Sequence, residues 1–186
     1  MRLRPPRIRR LLVGALPVLL GAVAPALAED STPIPAQMPS FKVLDDQGVA
    51  VPTSRFEGKV VLLDFWASWC RPCHFTLPEL QRLHETYGER EDFSVVGFAI
   101  DEGKPGGIRA RRFAAKAGVT YEIFHDDSSL PARPQFHIEA IPVLFLIDTD
   151  GKIVHRWDGE PEFSEVEAEV RRLLGIEDDK AGSTDG

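Results

Sequence analysis

The chain has 186 residues, 43% hydrophobic and 27% charged, without a low-complexity tract or internal repeat, a composition that suits one globular domain and excludes fibrous or wholly disordered classes. All 29 acids and 17 of the 22 Lys and Arg lie beyond residue 28, a net charge of −12 that argues against nucleic acid or anionic lipid as a general partner. A core of this size folds without covalent braces, so the two cysteines are free for other work.

Residues 1–28 read as an export signal peptide. Arg2, Arg4, Arg7, Arg9 and Arg10 form a basic start without an acid, residues 11–23 are apolar, and Ala26-Leu27-Ala28 offers a cleavage site. The apolar run is short for a bilayer span, which needs about 20 residues. Cleavage is therefore expected, and membrane contact only if the leader is kept. Either outcome places the folded part outside the cytoplasm, in the periplasm.

Residues 29–40 carry Pro33, Pro35 and Pro39 and read as an extended tether. One folded domain is expected over 41–175, then a disordered acidic tail over 176–186. Residues 41–44 and 49–51 predict a β-hairpin, and 59–66 (KVVLLDFW) a central strand covered on both faces. The next helix shows an apolar stripe of Leu77, Leu80, Leu83 and Tyr87, a stop at Gly88 and a kink at Pro78.

Residues 93–100 predict a second buried strand. Ala110, Phe113, Ala114 and Ala117 predict the buried face of a second helix, with a short strand at 121–124. Pro131 and Pro134 limit 126–137 to a turn or two of helix. Strands at 143–147 and 152–157 flank Asp148-Thr149-Asp150-Gly151, a hairpin signal. A last helix opens with the capping-box pattern Ser164-Glu165-Val166-Glu167, packs through Val166, Val170, Leu173 and Leu174, and ends at Gly175. The order predicts an α/β fold with a parallel sheet centre and antiparallel edges.

Trp69-Cys70-Arg71-Pro72-Cys73 falls between the buried strand and a helix start. Free N–H groups and the helix dipole stabilise a thiolate there, and the thiolate is the reactive form of cysteine. A bridge across two residues constrains the unfolded chain little, so it suits being made and broken better than bracing. Cys70 is the expected nucleophile and Cys73 the resolving thiol. Asp64, alone in an apolar strand that leads into the site, should have a raised pKa and could take the proton from Cys73. Ile141-Pro142 precedes an apolar strand; spacing alone favours an ordinary trans proline there.

Two binding readings use the same residues. Cys70 to His74 also matches the c-type haem pattern, with Met38 or a second His as the other axial ligand. A copper or zinc assembly factor could use Cys70, Cys73 and a histidine such as His137 or His155, although no second Cys pair is present. Arg109, Arg112 and Lys116 read as a solvated helix face or a patch for an acidic partner.

FWASWCRPC with Asp64 before it, Pro78 five residues after Cys73, and IPVLFLID downstream resemble the thioredoxin superfamily. The export signal, the hairpin before the central strand, and an insertion make the chain similar to the TlpA/ResA branch. The resemblance implies a thioredoxin fold, a central mixed sheet flanked by helices with an N-terminal β-hairpin and a central insertion. It also implies a redox-active Cys70–Cys73 disulfide, Pro142 as a cis proline facing it, Trp69 beside the substrate groove, and Ile141 pairing with substrate backbone. Gly151 and Gly159 would serve the C-terminal hairpin. The implied partners are disulfide-bearing proteins and a membrane electron donor, in cytochrome c or oxidase assembly. Neither cofactor nor metal is implied.

Overall fold

The computed structural model describes residues 35–40, 42–45, 47–125 and 132–176. The expected leader, residues 126–131 and the tail from 177 onward lie outside the described residues. The elements are β1 (Lys42–Leu44), β2 (Ala50–Pro52), a 3-10 turn (Thr53–Phe56), β3 (Val60–Trp66), α1 (Cys73–Tyr87), β4 (Phe93–Ala99), α2 (Gly103–Lys116), β5 (Glu122–His125), α3 (Ala132–Gln135), β6 (Val143–Ile147), β7 (Ile153–Asp158) and α4 (Phe163–Leu173). The strands form one sheet in the order β2-β1-β5-β4-β3-β6-β7.

β3 is buried over all seven residues because it has a strand on each side and a layer on each face. It runs parallel to β4, which runs parallel to β5, and antiparallel to β6. The remaining pairings are antiparallel, so the parallel-centre expectation holds. Alternation along β3 sends Val60, Leu62, Asp64 and Trp66 to one face and Val61, Leu63 and Phe65 to the other.

The helices α1, α2 and α4 cover the first face. Tyr87 of α1 meets Phe93 there, Phe113 of α2 meets Trp66, and Glu169 of α4 reaches His155 of β7. On the second face Phe65 packs against Phe98, Phe136 and Phe145, while Phe56 closes over Phe124.

The stripe in α1 is real: Leu77, Leu80 and Leu83 are fully buried, each contributing about 1.5–3 kcal/mol of transfer free energy. That packing outweighs the one ladder bond Pro78 removes, and α1 continues through it. Gly88 ends α1 as expected, in the C-cap position with an ordinary helical φ of −68°. Two local expectations need correction. Ala117 is exposed, because α2 ends at Lys116 and the chain turns away through Gly118. Ser164 does not cap α4; the helix starts at Phe163, whose ring packs on the core, with Glu162 in the cap position and no side-chain cap.

Residues 36–38 of the proline-rich stretch lie along the start of β7. Gln37 bridges Lys152, and the Met38 amide donates to the Gly151 carbonyl at 2.8 Å. Among the described residues, no helix is long and apolar enough to cross a membrane.

Candidate active site

The C-terminal ends of β3 and β4 open onto the turn that starts α1, the place where parallel sheets leave strand ends and helix N-termini free for chemistry. Cys70 closes this turn and Cys73 is the first residue of α1. The two are joined by a disulfide, with S–S 2.01 Å and Cα–Cα 5.4 Å. No side chain caps α1. In place of a cap, the Cys73 amide donates to the Cys70 sulfur at 3.3 Å. A sulfur anion at this position would meet the Cys73 N–H and the positive end of the helix dipole, while the His74 and Phe75 amides are already bound to the Arg71 and Pro72 carbonyls.

The disulfide is largely covered, Cys70 at 4% exposure and Cys73 at 0%, so Cys70 is the sulfur nearer solvent. Trp69 stands beside it 63% exposed, and Phe75 is 60% exposed one turn into α1. Apolar side chains so open next to a reactive pair form a surface a partner can cover.

The Ile141-Pro142 peptide bond is cis. That overturns the trans assignment favoured by spacing alone and agrees with the one drawn from resemblance. The Pro142 carbonyl accepts from the Gly159 amide at 2.9 Å, while the backbone of Ile141 has no partner among the described residues. Gly151 and Gly159 both hold left-handed φ, +77° and +84°, which the turns at either end of the β6–β7 hairpin require.

Asp64 sits on the sheet face under α1, 1% exposed. Burial alone pushes its carboxyl up to about 8. Neither oxygen has a hydrogen-bond partner among the described residues, so no backbone group there satisfies the carboxyl.

Three supports of the site were not foreseen. Asp101, just past β4, accepts from the Ser68 amide at 2.8 Å and the Ser68 hydroxyl at 2.5 Å, which pins the turn ahead of Cys70. Arg109 lies 3.9 Å from the same carboxylate. The Arg156 side chain, on β7, is 5% exposed. It donates to the His137 carbonyl at 3.3 Å and pairs with Asp158 at 2.7 Å, which holds the segment leading to Ile141. The third, Tyr121, lies against the Asp64 side of the sheet. Only Asp101 carried a sequence signal, an acid at the C-terminal end of a buried strand.

His74 does not stand free as an axial ligand would. Its ring stacks on Phe113 with centroids 4.3 Å apart, and Nε2 lies 3.3 Å from the Ser68 carbonyl. Among the described residues, no group of three His, Cys, Asp or Glu side chains is placed to hold a metal ion.

A thioredoxin-like sheet with a bonded Cys-x-x-Cys pair at the strand–helix turn defines a thiol–disulfide oxidoreductase, and the known relatives agree. The chain is similar to the thiol-disulfide oxidoreductase ResA of Bacillus thuringiensis, with 27% identity over 162 residues covering 84% of this chain and 91% of that one. ResA of Geobacillus thermodenitrificans is 32% identical over 117 residues, covering 62% and 63% of the two chains. Among solved structures, a thiol:disulfide interchange protein of the thioredoxin family from Chlorobium tepidum matches with a TM-score of 0.63 at 25% identity, over 76% of this chain and 97% of that one. Residues 34–156 match the model of the AhpC/TSA family, and the chain belongs to that family.

Proposed function

We propose that the chain reduces disulfides of protein substrates outside the cytoplasm, serving cytochrome c or oxidase assembly and drawing its electrons from a membrane donor. The observation that carries the chemistry is the 3.3 Å contact from the Cys73 amide to the Cys70 sulfur at the start of α1. The basic and apolar leader and the TlpA/ResA resemblance support the compartment and the pathway.

In the reduced protein, the Cys70 thiolate attacks one sulfur of the substrate disulfide. A Cys70–substrate disulfide forms, and the other substrate sulfur leaves as a thiolate. Cys73 then loses its proton to the Asp64 carboxylate, directly or through a water, and its thiolate attacks the Cys70 sulfur. The Cys70–Cys73 disulfide closes and the second substrate thiolate departs. The substrate gains two electrons and the enzyme dithiol loses them. A carboxyl near 8 is well matched to a thiol near 8.5, so the proton moves between them at little cost. During attack, Trp69 covers the bound segment and the open backbone of Ile141 beside Pro142 pairs with it in an extended conformation.

Cys73→Ala tests the assignment. Incubated with a disulfide-bearing protein such as insulin, it should accumulate a mixed disulfide through Cys70. No adduct, or an equal yield from Cys70→Ala, would overturn the roles given to the two sulfurs. If Asp64→Asn leaves the pH dependence of the resolving step unchanged, the carboxyl is not the proton acceptor.

A further inference from the structure

Hydrogen bonds hold the segment that carries Ile141 into the site from both of its ends. Downstream, the Gly159 amide donates to the Pro142 carbonyl at 2.9 Å. Upstream, the Ile138 amide closes the end of α3 on the Arg133 carbonyl at 3.1 Å. The Arg156 guanidinium adds bonds there to the carbonyls of Phe136 at 3.4 Å and His137 at 3.3 Å. Between these anchors the backbone of residues 139–141 makes no hydrogen bond among the described residues.

The anchor on β7 has the shape of a guanidinium. Arg156 stands opposite Phe145 in the β6–β7 ladder, with its central carbon 5.5 Å from the Phe145 ring centroid. Nε and Nη2 grip the Asp158 carboxylate at 2.9 Å and 2.7 Å, which balances the charge. Nη1 donates to both carbonyls, and the second N–H of Nη2 returns to His137 at 3.3 Å. Every N–H of the fork therefore has an acceptor. His137 joins the two peptide planes that carry those carbonyls, and its φ is +50°, the one positive value at a non-glycine among the described residues. A residue with a Cβ keeps such a conformation where its surroundings fix it, and one rigid group bound on either side of its Cα does so. Lysine carries the charge on one nitrogen and has no planar fork to span the same acceptors.

A buried ion pair is a poor source of stability, because an apolar side chain of similar shape often serves as well. What this one supplies is a fixed backbone. We infer that Arg156 is a positioning residue for polypeptide substrates: by gripping the Phe136 and His137 carbonyls from β7, it keeps the backbone of Ile141 set to receive an extended segment beside the Cys70–Cys73 pair. The inference rests on Ile141 pairing with substrate backbone. A disulfide without a peptide backbone makes no such pairing and does not depend on Arg156. A polypeptide binds the ordered form of the segment, so its apparent affinity falls in proportion as that form becomes rarer.

Two variants of the full chain test this. Arg156→Met keeps the length of the side chain without charge or donors, and Arg156→Lys keeps the charge without the fork. Urea unfolding checks that each is folded; if Arg156→Met is not, Arg156→Lys carries the same comparison. Oxidation of each reduced protein is followed against the concentration of a disulfide-linked peptide, of the same peptide N-methylated on the amides beside its reactive cysteine, and of bis(2-hydroxyethyl) disulfide. In both variants the half-saturating concentration of the plain peptide should rise about tenfold at a limiting rate within about twofold of the parent's, as the ordered fraction drops to about a tenth. The rate with bis(2-hydroxyethyl) disulfide should stay within about twofold, since that substrate does not use the segment.

An unchanged half-saturation in Arg156→Met overturns the proposal. So does an equal loss on peptide and small disulfide, which would place the effect on the cysteines themselves. Parental behaviour in Arg156→Lys overturns it too, because charge alone would then suffice. The two readings fail separately. If the parent protein discriminates between the plain and N-methylated peptides while both variants keep its half-saturation, pairing at Ile141 stands and Arg156 does not position it. If the parent treats the two peptides alike, the pairing itself fails and the role of Arg156 falls with it.

Discussion

Replacing Asp64 by Asn should stabilise the oxidised protein at neutral pH, by an amount that grows with pH. In the unfolded chain the carboxyl ionises near pH 4; in the fold it keeps its proton up to about 8. Between those values the native state binds one more proton than the unfolded state, so stability falls as pH rises, by about 1.4 kcal/mol per unit. Three units separate pH 4 from pH 7, which gives about 4 kcal/mol lost to this one side chain. Asparagine has nearly the same shape and no charge to desolvate, so its variant lacks the slope. Urea unfolding of both proteins at each pH from 4 to 8 reads the difference. The two should be close at pH 4 and diverge steadily until about pH 8. A constant difference across that range would refute the argument, because it would mean that Asp64 ionises in the fold as easily as in the open chain.

Leu80→Ala should cost about 2–5 kcal/mol in urea unfolding with an unchanged denaturant slope, since Leu80 is fully covered between α1 and the sheet; a loss under about 1 kcal/mol would deny it that place. Asp101→Ala removes both bonds to Ser68 and should lower stability by about 1–3 kcal/mol and slow disulfide exchange, as the turn ahead of Cys70 loosens. An unchanged exchange rate would show that the turn holds its shape without that carboxylate.

The parts of the molecule that could be read in the sequence are those set by neighbours along the chain. The run VVLLDFW announces a strand covered on both faces because burial on both sides abolishes polar alternation, and the i, i+3 spacing of Leu77, Leu80 and Leu83 fixes which face of α1 turns inward. The WCRPC turn was legible for the same reason, with strand, turn and helix contiguous. Asp64 stood out as one acid in an apolar stretch. The cis bond at Pro142 was legible only through resemblance, because spacing carries no information about the isomer.

What escaped depends on residues far apart in sequence. Ser68 and Asp101 are separated by 33 positions, and Gly97 of β4 is closed in by Trp66 of β3 and by Tyr121 and Ile123. No local pattern marks a glycine against which distant side chains pack so closely. The start of α4 was misplaced because packing of Phe163 onto the core overrode the better local cap at Ser164. Arginine is by type a surface residue, yet the Arg156 guanidinium lies 5.5 Å from the Phe145 ring centroid and bonds the carbonyl of a residue 19 positions away.

The titration of Cys70 in the reduced protein addresses the stabilised sulfur anion most directly. Its alkylation rate by iodoacetamide, followed against pH with mass-spectrometric assignment of the labelled residue, should give a midpoint at least about one unit below the ordinary thiol value of roughly 8.5, with Cys70 labelled before Cys73. A midpoint at or above that value, or first labelling at Cys73, would contradict the account.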